Sequence, residues 1–370
     1  PAQVEFAKAH RIDYAVVAPD DPLALGAVDA LTEAGVPCFG PDKKAAVIEA
    51  SKAFSKDLMK KYGIPTAKYE LFTDADAACA YIDSQGAPIV VKADGLALGK
   101  GVVVAQTVEE AKAAVRSMIE DKAFGQSGAR VVIEEFMEGP EVSVLSFTDG
   151  EAVVPMVSSM DHKCALDGDK GPNTGGMGAF APSPLYTDEI AERTEREILL
   201  PTLRAMNAEG FTFKGVLYVG LMLTAEGPKV VEYNARFGDP ETQAVLPLLE
   251  SDLFAIMRAV REQRRAETEI RWRGGAAACI VLASGGYPGK YESGKAITGL
   301  ADAEAAGATV YHAGTRLTDA GYVTAGGRVL GVTALGDTLA EAIRRAYAAA
   351  EKIHFEGAHM RRDIGSRDME

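Results

Sequence analysis

The stretch Val230-Val231-Glu232-Tyr233-Asn234-Ala235-Arg236-Phe237-Gly238-Asp239-Pro240-Glu241 reads as a strand that breaks into a charged turn. Side chains alternate along a strand, so Glu232, Asn234 and Arg236 share one face. A carboxylate and an amide oxygen on one face suit a hard cation such as Mg²⁺, which takes oxygen ligands. Arg236 adds a planar cation that grips phosphate or carboxylate with two hydrogen bonds. This combination points to the handling of a nucleoside triphosphate. Taken alone, it fits a solvated polar face as well, so the rest of the chain decides.

At 370 residues the chain is long enough for about two to four domains with sizeable cores. Charged residues make up 25% and hydrophobic ones 47%, which places it among globular rather than disordered chains. The formal net charge of -14 argues against nucleic acid or an anionic membrane as partner. Any phosphate site must then be a local basic patch. Cys38, Cys79, Cys164 and Cys279 stand apart and form no CxxC, as expected of free thiols in a reducing cytoplasm. No apolar run approaches the ~18–20 residues that span a bilayer.

Residues 1–50 read as the rear part of a parallel α/β unit. Strands are expected at Asp13 to Pro19 and Val36 to Gly40, and a helix from Leu23 to Gly35. A helix over Lys43 to Tyr62 closes at Gly63. A compact unit follows, with a helix around Asp76 to Gln85, strands at Pro88–Lys92 and Gly101–Ala105, a helix at Val108–Glu120 and a strand at Arg130–Glu134. Further strands are expected at Glu141–Thr148, Glu151–Val157, Gly215–Leu223 and Lys229–Asn234, with a long helix over Asp188–Glu209. The last part, from 272, reads as a separate small domain with a strand at Ala276–Ala283 and a final helix opened by the capping box Thr338-Leu339-Ala340-Glu341.

Several segments carry candidate chemistry. Gly95 to Gly101 contains Gly99-Lys100-Gly101 but is no P-loop. That motif needs four residues between its glycines, Ser or Thr after the lysine, and a following helix. It reads instead as a glycine loop between antiparallel strands, able to close over phosphates, or as an ordinary mobile hairpin. Lys92 ends the preceding strand as a point charge for phosphate or a solvated strand end. Glu134-Glu135-Phe136-Met137 is a hinge between strands whose backbone can read adenine, or simply a solvated acidic turn. Gly171 to Gly178 holds four glycines with Asn173 and Thr174, so its backbone N–H groups can face an anion. Asp161-His162-Lys163 lies just before it in one long connection, which favours a binding loop. The Gly326-Gly327-Arg328 turn and His312 to Thr315 are explained by turn formation as well as by a ligand.

In this order, Ser51-Lys52-Ala53-Phe54, Val91 to Leu96, Gly99-Lys100-Gly101, Glu134-Glu135-Phe136, Asp161-His162-Lys163, Gly171 to Gly178 and Glu232 to Glu241 strongly resemble the phosphoribosylamine–glycine ligase family of the ATP-grasp superfamily. The likeness spans essentially the whole chain, up to Arg361-Arg362-Asp363-Ile364-Gly365. It implies an α/β (α+β) chain with an ATP-grasp fold, a truncated Rossmann-like N-terminal domain and a small C-terminal β-rich domain. On that basis residues 1–50 are the N-terminal remnant, 51–68 and 138–271 the core, 69–137 the lid and 272–370 the C-terminal domain.

The resemblance also implies a reaction, an ATP-dependent carbon–nitrogen ligation in purine biosynthesis. ATP would phosphorylate the glycine carboxylate, and 5-phosphoribosylamine would attack the glycyl phosphate. The enzyme would work by positioning and charge stabilisation, without a protein nucleophile. Lys52, Lys92, Gly99, Lys100, Gly101, Glu134, Glu135, Phe136, Met137 and Glu141 would bind ATP, with Glu141 on the ribose. Glu232 and Asn234 would hold Mg²⁺ or Mn²⁺. Arg236 and Asp239 would be catalytic. Asp161, His162, Lys163, Asn173, Thr174, Gly175, Gly176, Met177, Gly238, Pro240 and Glu241 would surround the two substrates. A cytoplasmic monomer is expected, with a dimer as the alternative.

Two features depart from the family pattern. The opening strand and glycine-rich turn G-N-G-G-R-E-H do not precede Pro1, and Cys164 stands where the family has arginine. The first departure leaves a nucleotide-binding fragment without turnover as the rival reading. Another ATP-grasp carboxylate–amine ligase is a second rival, disfavoured by Gly171 to Gly178.

Overall fold

Valine-rich strands and capped helices build three larger sheets, described by the computed structural model over residues 1–97 and 101–366. The first is antiparallel, in the order Tyr69–Phe72, Val131–Glu135, Ile89–Ala93, Val102–Ala105. Helices Ala75–Gln85 and Val108–Ile119 cover one face, burying Ile82 and Val115 with Val91, Val131 and Ile133. Each helix begins on a side chain that accepts a backbone N–H, Asp74 from Ala77 at 2.8 Å and Thr107 from Glu110 at 3.2 Å. Strand alternation sends Val90, Lys92, Val104 and Glu134 to the opposite face, which lines a large cleft.

The second sheet runs Gly227–Asn234, Gly215–Thr224, Glu141–Thr148, Val153–Pro155, again antiparallel. Its first strand carries Glu232 and Asn234. The register slips by one residue opposite Gly220 and Leu221, leaving Val231 as a bulge between Val230 and Glu232. Glu232 and Asn234 keep a common side beyond it, while Val230 and Tyr233 enter the core.

The third sheet joins two parts of the chain. Its order is Thr309–His312, Arg328–Gly336, Ala276–Ala283, Gly178–Ala181, Met160–Asp161. It ties the segment after 272 to the preceding chain, since Gly178 pairs with Ile280 and Ala181 with Ala277. Phe180, Ile280, Val332, Ile343 and Ile364 share one core. The small residues of Gly178-Ala179-Phe180-Ala181 let this strand lie buried between its neighbours.

Three helices also differ from the periodicity. The one expected over Lys43 to Tyr62 breaks at Ser51, which is extended (φ -136°, ψ 111°) between helices Val47–Ala50 and Lys52–Tyr62. A tertiary contact overrides helix propensity here. Asp94 Oδ1 accepts from Ser51 Oγ at 2.9 Å and from the Ala53 N–H at 2.7 Å, and the Asp94 carbonyl accepts from the Lys52 N–H at 2.9 Å. The break places Lys52 at the cleft. The Leu23 to Gly35 helix divides at Gly26, whose φ of 87° only glycine adopts readily. The long helix from Asp188 to Ala208 is continuous but widens to a π turn at Glu195–Leu199, just before Pro201, which has no N–H to donate.

The capping box forms in altered form. Thr338 accepts the Glu341 N–H at 3.2 Å, but the Glu341 carboxylate takes the N–H of Asp337 at 2.9 Å instead of that of Thr338. Beyond this helix Arg361 is only 1% exposed. It pairs with Asp363 at 2.8 Å and Asp169 at 2.9 Å, and donates to the Cys164 carbonyl at 3.2 Å, pinning the Cys164–Asn173 hairpin to the C-terminal segment. Arg361→Met keeps the apolar stem and leaves Asp363 without its cation. We expect a loss on the order of 3 kcal/mol, read as a lower urea midpoint at constant m-value; an unchanged midpoint would show the ion cluster to be energetically neutral.

Candidate active site

The first sheet faces the other two across a cleft of about 1020 Å³. Its wall includes Lys52, Lys92, Gly101, Glu134, Glu135, Phe136, Met137 and Glu141, and opposite them Asp161, Lys163, Asn173, Thr174 and Gly175. Glu232, Asn234, Arg236, Gly238, Asp239 and Glu241 complete it. Gly99 and Lys100 lie outside the described residues. Segments far apart in the chain therefore converge on one space.

Two lysines and one glutamate form its floor. Glu134 Oε2 lies 3.0 Å from both Lys92 Nζ and Lys56 Nζ, with all three side chains buried. Lys92 also donates to the Val231 carbonyl at 3.1 Å, beside the bulge, and Lys56 to Thr66 Oγ1 at 2.8 Å. Burial pulls the Lys56 ammonium down to about 8, against the opposing charge of Glu134. Lys56 was not singled out from the sequence; inside a polar helix it looks solvated. Glu134 Oε2 is committed to the lysines, while its buried Oε1 has no hydrogen-bond partner among the described residues. Its neighbour Glu135 folds back, giving Oε1 to the Lys68 N–H at 3.0 Å. The apolar side chains of Phe136 and Met137 line the cleft beside them.

The Glu232 face lies at the centre. Burial pushes the Glu232 carboxyl up, but the fields of Lys163, Lys92, Lys52 and Arg236 outweigh it and hold the group below its ordinary value. Arg236 is aimed by Glu49, whose Oε1 lies 3.0 Å from Nη2, and by the Phe237 carbonyl at 3.0 Å from Nη1. Glu49 Oε2 accepts the Ala235 N–H at 2.8 Å, fixing the backbone of the same turn. Glu49 was missed as well, since a single acid at a helix end carries no motif. Among the described residues no three acid, histidine or cysteine side chains gather as a metal cage. Glu232 and Asn234 still fit a hard divalent ion that takes its other oxygens from phosphate and water.

The remaining wall is acidic. Lys163 pairs with Glu141 at 2.8 Å, and this pairing raises its ammonium above the usual lysine range. Glu141, expected at a ribose, is thus engaged by Lys163. Glu241 is 3% exposed and accepts from the Tyr218 hydroxyl, which also meets Ser143 Oγ at 2.8 Å. Asp161 is raised well above the ordinary carboxyl range, by burial first and then by Glu241.

The glycine loop is not an open anion nest. The Thr174 N–H goes to the Lys163 carbonyl (2.8 Å), that of Gly175 to Tyr287 Oη (3.1 Å), that of Gly176 to Thr174 Oγ1 (2.9 Å) and that of Met177 to the His162 carbonyl (2.8 Å). The N–H groups of residues 174–177 are thus already taken by the protein itself. Met177 is fully buried, and Gly176 is pressed between Pro240 and Asp161, where a Cβ would lie 2.4 Å from Pro240 Cδ. Gly176, Met177 and Pro240 thus shape the wall from behind and do not line it.

His162 also leaves the cleft. Its ring sits 5.8 Å from that of Phe180, and Nε2 accepts the Gly365 N–H at 3.3 Å. Burial, helped by the Arg361 guanidinium, pulls the imidazole down to about 4. The folded value lies below the unfolded value near 6.5, so unfolding takes up a proton and stability falls as the pH drops from about 6.5 to about 4. The loss between pH 7 and 5 is on the order of 2 kcal/mol. His162→Gln, whose Oε1 replaces Nε2 as acceptor, should flatten that part of the urea-unfolding profile; an unchanged slope would place the proton uptake elsewhere.

Models of phosphoribosylglycinamide synthetase match the chain in three pieces. The N domain covers residues 1–49, the ATP-grasp (A) domain 50–242 and the C domain 277–367. A phosphoribosylamine–glycine ligase of Vibrio cholerae is 51% identical over 368 residues, 99% of this chain and 86% of the relative. The ligase of Escherichia coli K12 is 50% identical over 372 residues, 100% of this chain and 87% of the relative. Among solved structures, phosphoribosylamine–glycine ligase of Thermotoga maritima superposes with a TM-score of 0.79 at 37% identity, covering 88% of this chain and 81% of that one. The biotin carboxylase domain of Hydrogenobacter thermophilus 2-oxoglutarate carboxylase shares the fold, with a TM-score of 0.74 at 17% identity over 97% of this chain and 78% of that one.

Proposed function

The chain belongs to the phosphoribosylglycinamide synthetase family, and from that premise we propose which of its residues carry the ATP-dependent joining of glycine to 5-phosphoribosylamine. The observation that carries the assignment is the ring of Lys52, Lys92, Lys163 and Arg236 around Glu232. Such a ring suits a triphosphate, and the carboxylate inside it suits a divalent ion. We take the ion to be Mg²⁺, held by Glu232 and Asn234; when bound it neutralises charge between neighbouring phosphates.

A glycine carboxylate oxygen attacks the γ-phosphorus of ATP, the bond to the β-phosphate oxygen breaks, and glycyl phosphate and ADP result. The amine of 5-phosphoribosylamine then attacks the acyl carbon and loses a proton as phosphate leaves with the bonding pair. Lys52 and Lys92 hold the phosphates, and Phe136 and Met137 face the adenine. Arg236, kept in place by Glu49, meets the charge that moves between phosphoryl and carboxylate oxygens. Asp161 and Glu241 offer acceptors to the amino groups that both joining partners bear. Asp239 borders the same space. In this reading 51–68 and 138–271 serve as the core and 69–137 as the lid, with 1–50 and 272–370 flanking them. Work in the cytoplasm fits the four free thiols, and among the described residues no helix is long and apolar enough to cross a membrane.

ADP release from this chain should require glycine and 5-phosphoribosylamine together and yield glycinamide ribonucleotide; release with any amino acid in place of glycine would refute the substrate assignment. Glu232→Ala should reduce Mg²⁺-dependent turnover to background, whereas wild-type rates would remove Glu232 from the metal site. Glu49→Gln preserves size but loses the charge opposite Arg236. We expect kcat to fall by about tenfold to a hundredfold with the KM for ATP little changed, and unaltered kcat would deny Glu49 its part in aiming Arg236.

A further inference from the structure

Two cleft residues from the C-terminal part, Arg328 and Tyr287, take no role in the phosphate chemistry above. Arg328 opens the strand Arg328–Gly336 and reaches across to two separate segments. Nη1 donates to the Gly175 carbonyl at 2.7 Å and the Asp239 carbonyl at 2.9 Å, with the Gly176 carbonyl at 3.4 Å. Nη2 donates to Asp239 Oδ2 at 2.9 Å. Tyr287 Oη accepts the Gly175 N–H at 3.1 Å. Gly175 is therefore gripped through its N–H by one side chain and through its carbonyl by the other.

The support behind this grip is close-packed. The Arg328 carbonyl accepts the Gly314 N–H at 2.9 Å, and a Cβ on Gly314 would lie 2.6 Å from Gly326 Cα. A Cβ on Gly327 would come within 2.2 Å of the Tyr287 ring. Ser284 ties the turn down, its Oγ to the Gly326 carbonyl at 2.8 Å and its N–H to the Gly327 carbonyl at 2.7 Å. Turn formation alone explains neither the direction of the guanidinium nor its choice of acceptors.

We infer that Arg328, braced by Tyr287, is a positioning residue for the ligation. It locks the Thr174–Gly176 wall against the Asp239 turn, and so sets the shape of the half of the cleft that takes glycine and the amine substrate. Among the described residues none of its hydrogen bonds reaches Lys52, Lys92, Glu134 or Glu232, so the ATP half is formed without it. A planar fork is needed to span two carbonyls and a carboxylate, which a compact ammonium does not do. This inference rests on the ligase reading of the same cleft.

The test compares wild type with Arg328→Met, Arg328→Lys and Arg328→Ala in the full chain, by steady-state kinetics and by amide exchange without substrates. Misplacing the wall should lower kcat/KM for glycine and for 5-phosphoribosylamine by about a hundredfold, in the lysine variant nearly as much as in the methionine one. The KM for ATP should stay within about twofold, and methylguanidinium should restore part of the turnover of the alanine variant. Exchange should quicken at residues 172–178 and 238–240 and stay unchanged at 89–93 and 102–105. Wild-type kinetics in Arg328→Met, or a KM for ATP that rises in step with the loss, would overturn the inference. If wild type forms no glycinamide ribonucleotide, the ligase reading itself fails, and unaltered exchange at 172–178 would remove the grip independently.

Discussion

Lys56, Glu134 and Lys92 meet beneath the cleft, and this buried cluster joins the parts that must act together. Glu134 and Lys92 come from the first sheet, Lys56 from the helix Lys52–Tyr62, and the Val231 carbonyl that receives Lys92 from the central strand. Burying charges is costly, and such clusters return the cost only when well paired and hydrogen-bonded. Here one carboxylate serves two ammonium groups, leaving an excess of positive charge at the floor. Burial holds the Lys56 ammonium below its ordinary value despite this pairing. The cluster ties the first sheet to the helix Lys52–Tyr62 and to the central strand, and its spare positive charge suits an anionic group above the floor. The acidic chain needs this arrangement, because its overall charge of -14 repels what its cleft must hold.

The opposite half of the cleft works by different means. Its carboxyl group Glu241 is buried against Tyr218 and Ser143, and its glycine loop has spent the N–H groups of 174–177 within the protein. Rigidity replaces the anion nest. Arg328 and Tyr287 hold the loop from outside, and Arg361 fastens the hairpin that leads into it. The third sheet is what makes this possible, since it places strands of the C-terminal part beside Gly178–Ala181.

What was legible in the sequence follows from the range of the interactions. The alternation of Glu232, Asn234 and Arg236 is local, and it survives the bulge at Val231 because the slip falls before Glu232. The helices and strands of the first sheet were readable because their caps and valine runs are local too. Glu49, Lys56, Tyr287 and Arg328 were not, because each acts on a partner remote in sequence; the Glu49 contact to Ala235 spans 186 residues. The broken helix at Ser51 has the same origin, since Asp94 supplies the contacts that stop it. His162 and Met177 were misplaced for a related reason. Their motifs mark a loop whose side chains alternate between cleft and core, and only the pairing of Gly178–Ala181 decides which go where.

The central claim is that this cleft moves a phosphoryl group onto the glycine carboxylate before the amine attacks. Glycine labelled with ¹⁸O in both carboxylate oxygens tests it directly, by mass analysis of the products of one turnover with unlabelled ATP in unlabelled water. The account predicts one labelled oxygen in the released phosphate and the other in the amide carbonyl of glycinamide ribonucleotide. Phosphate free of label would contradict it.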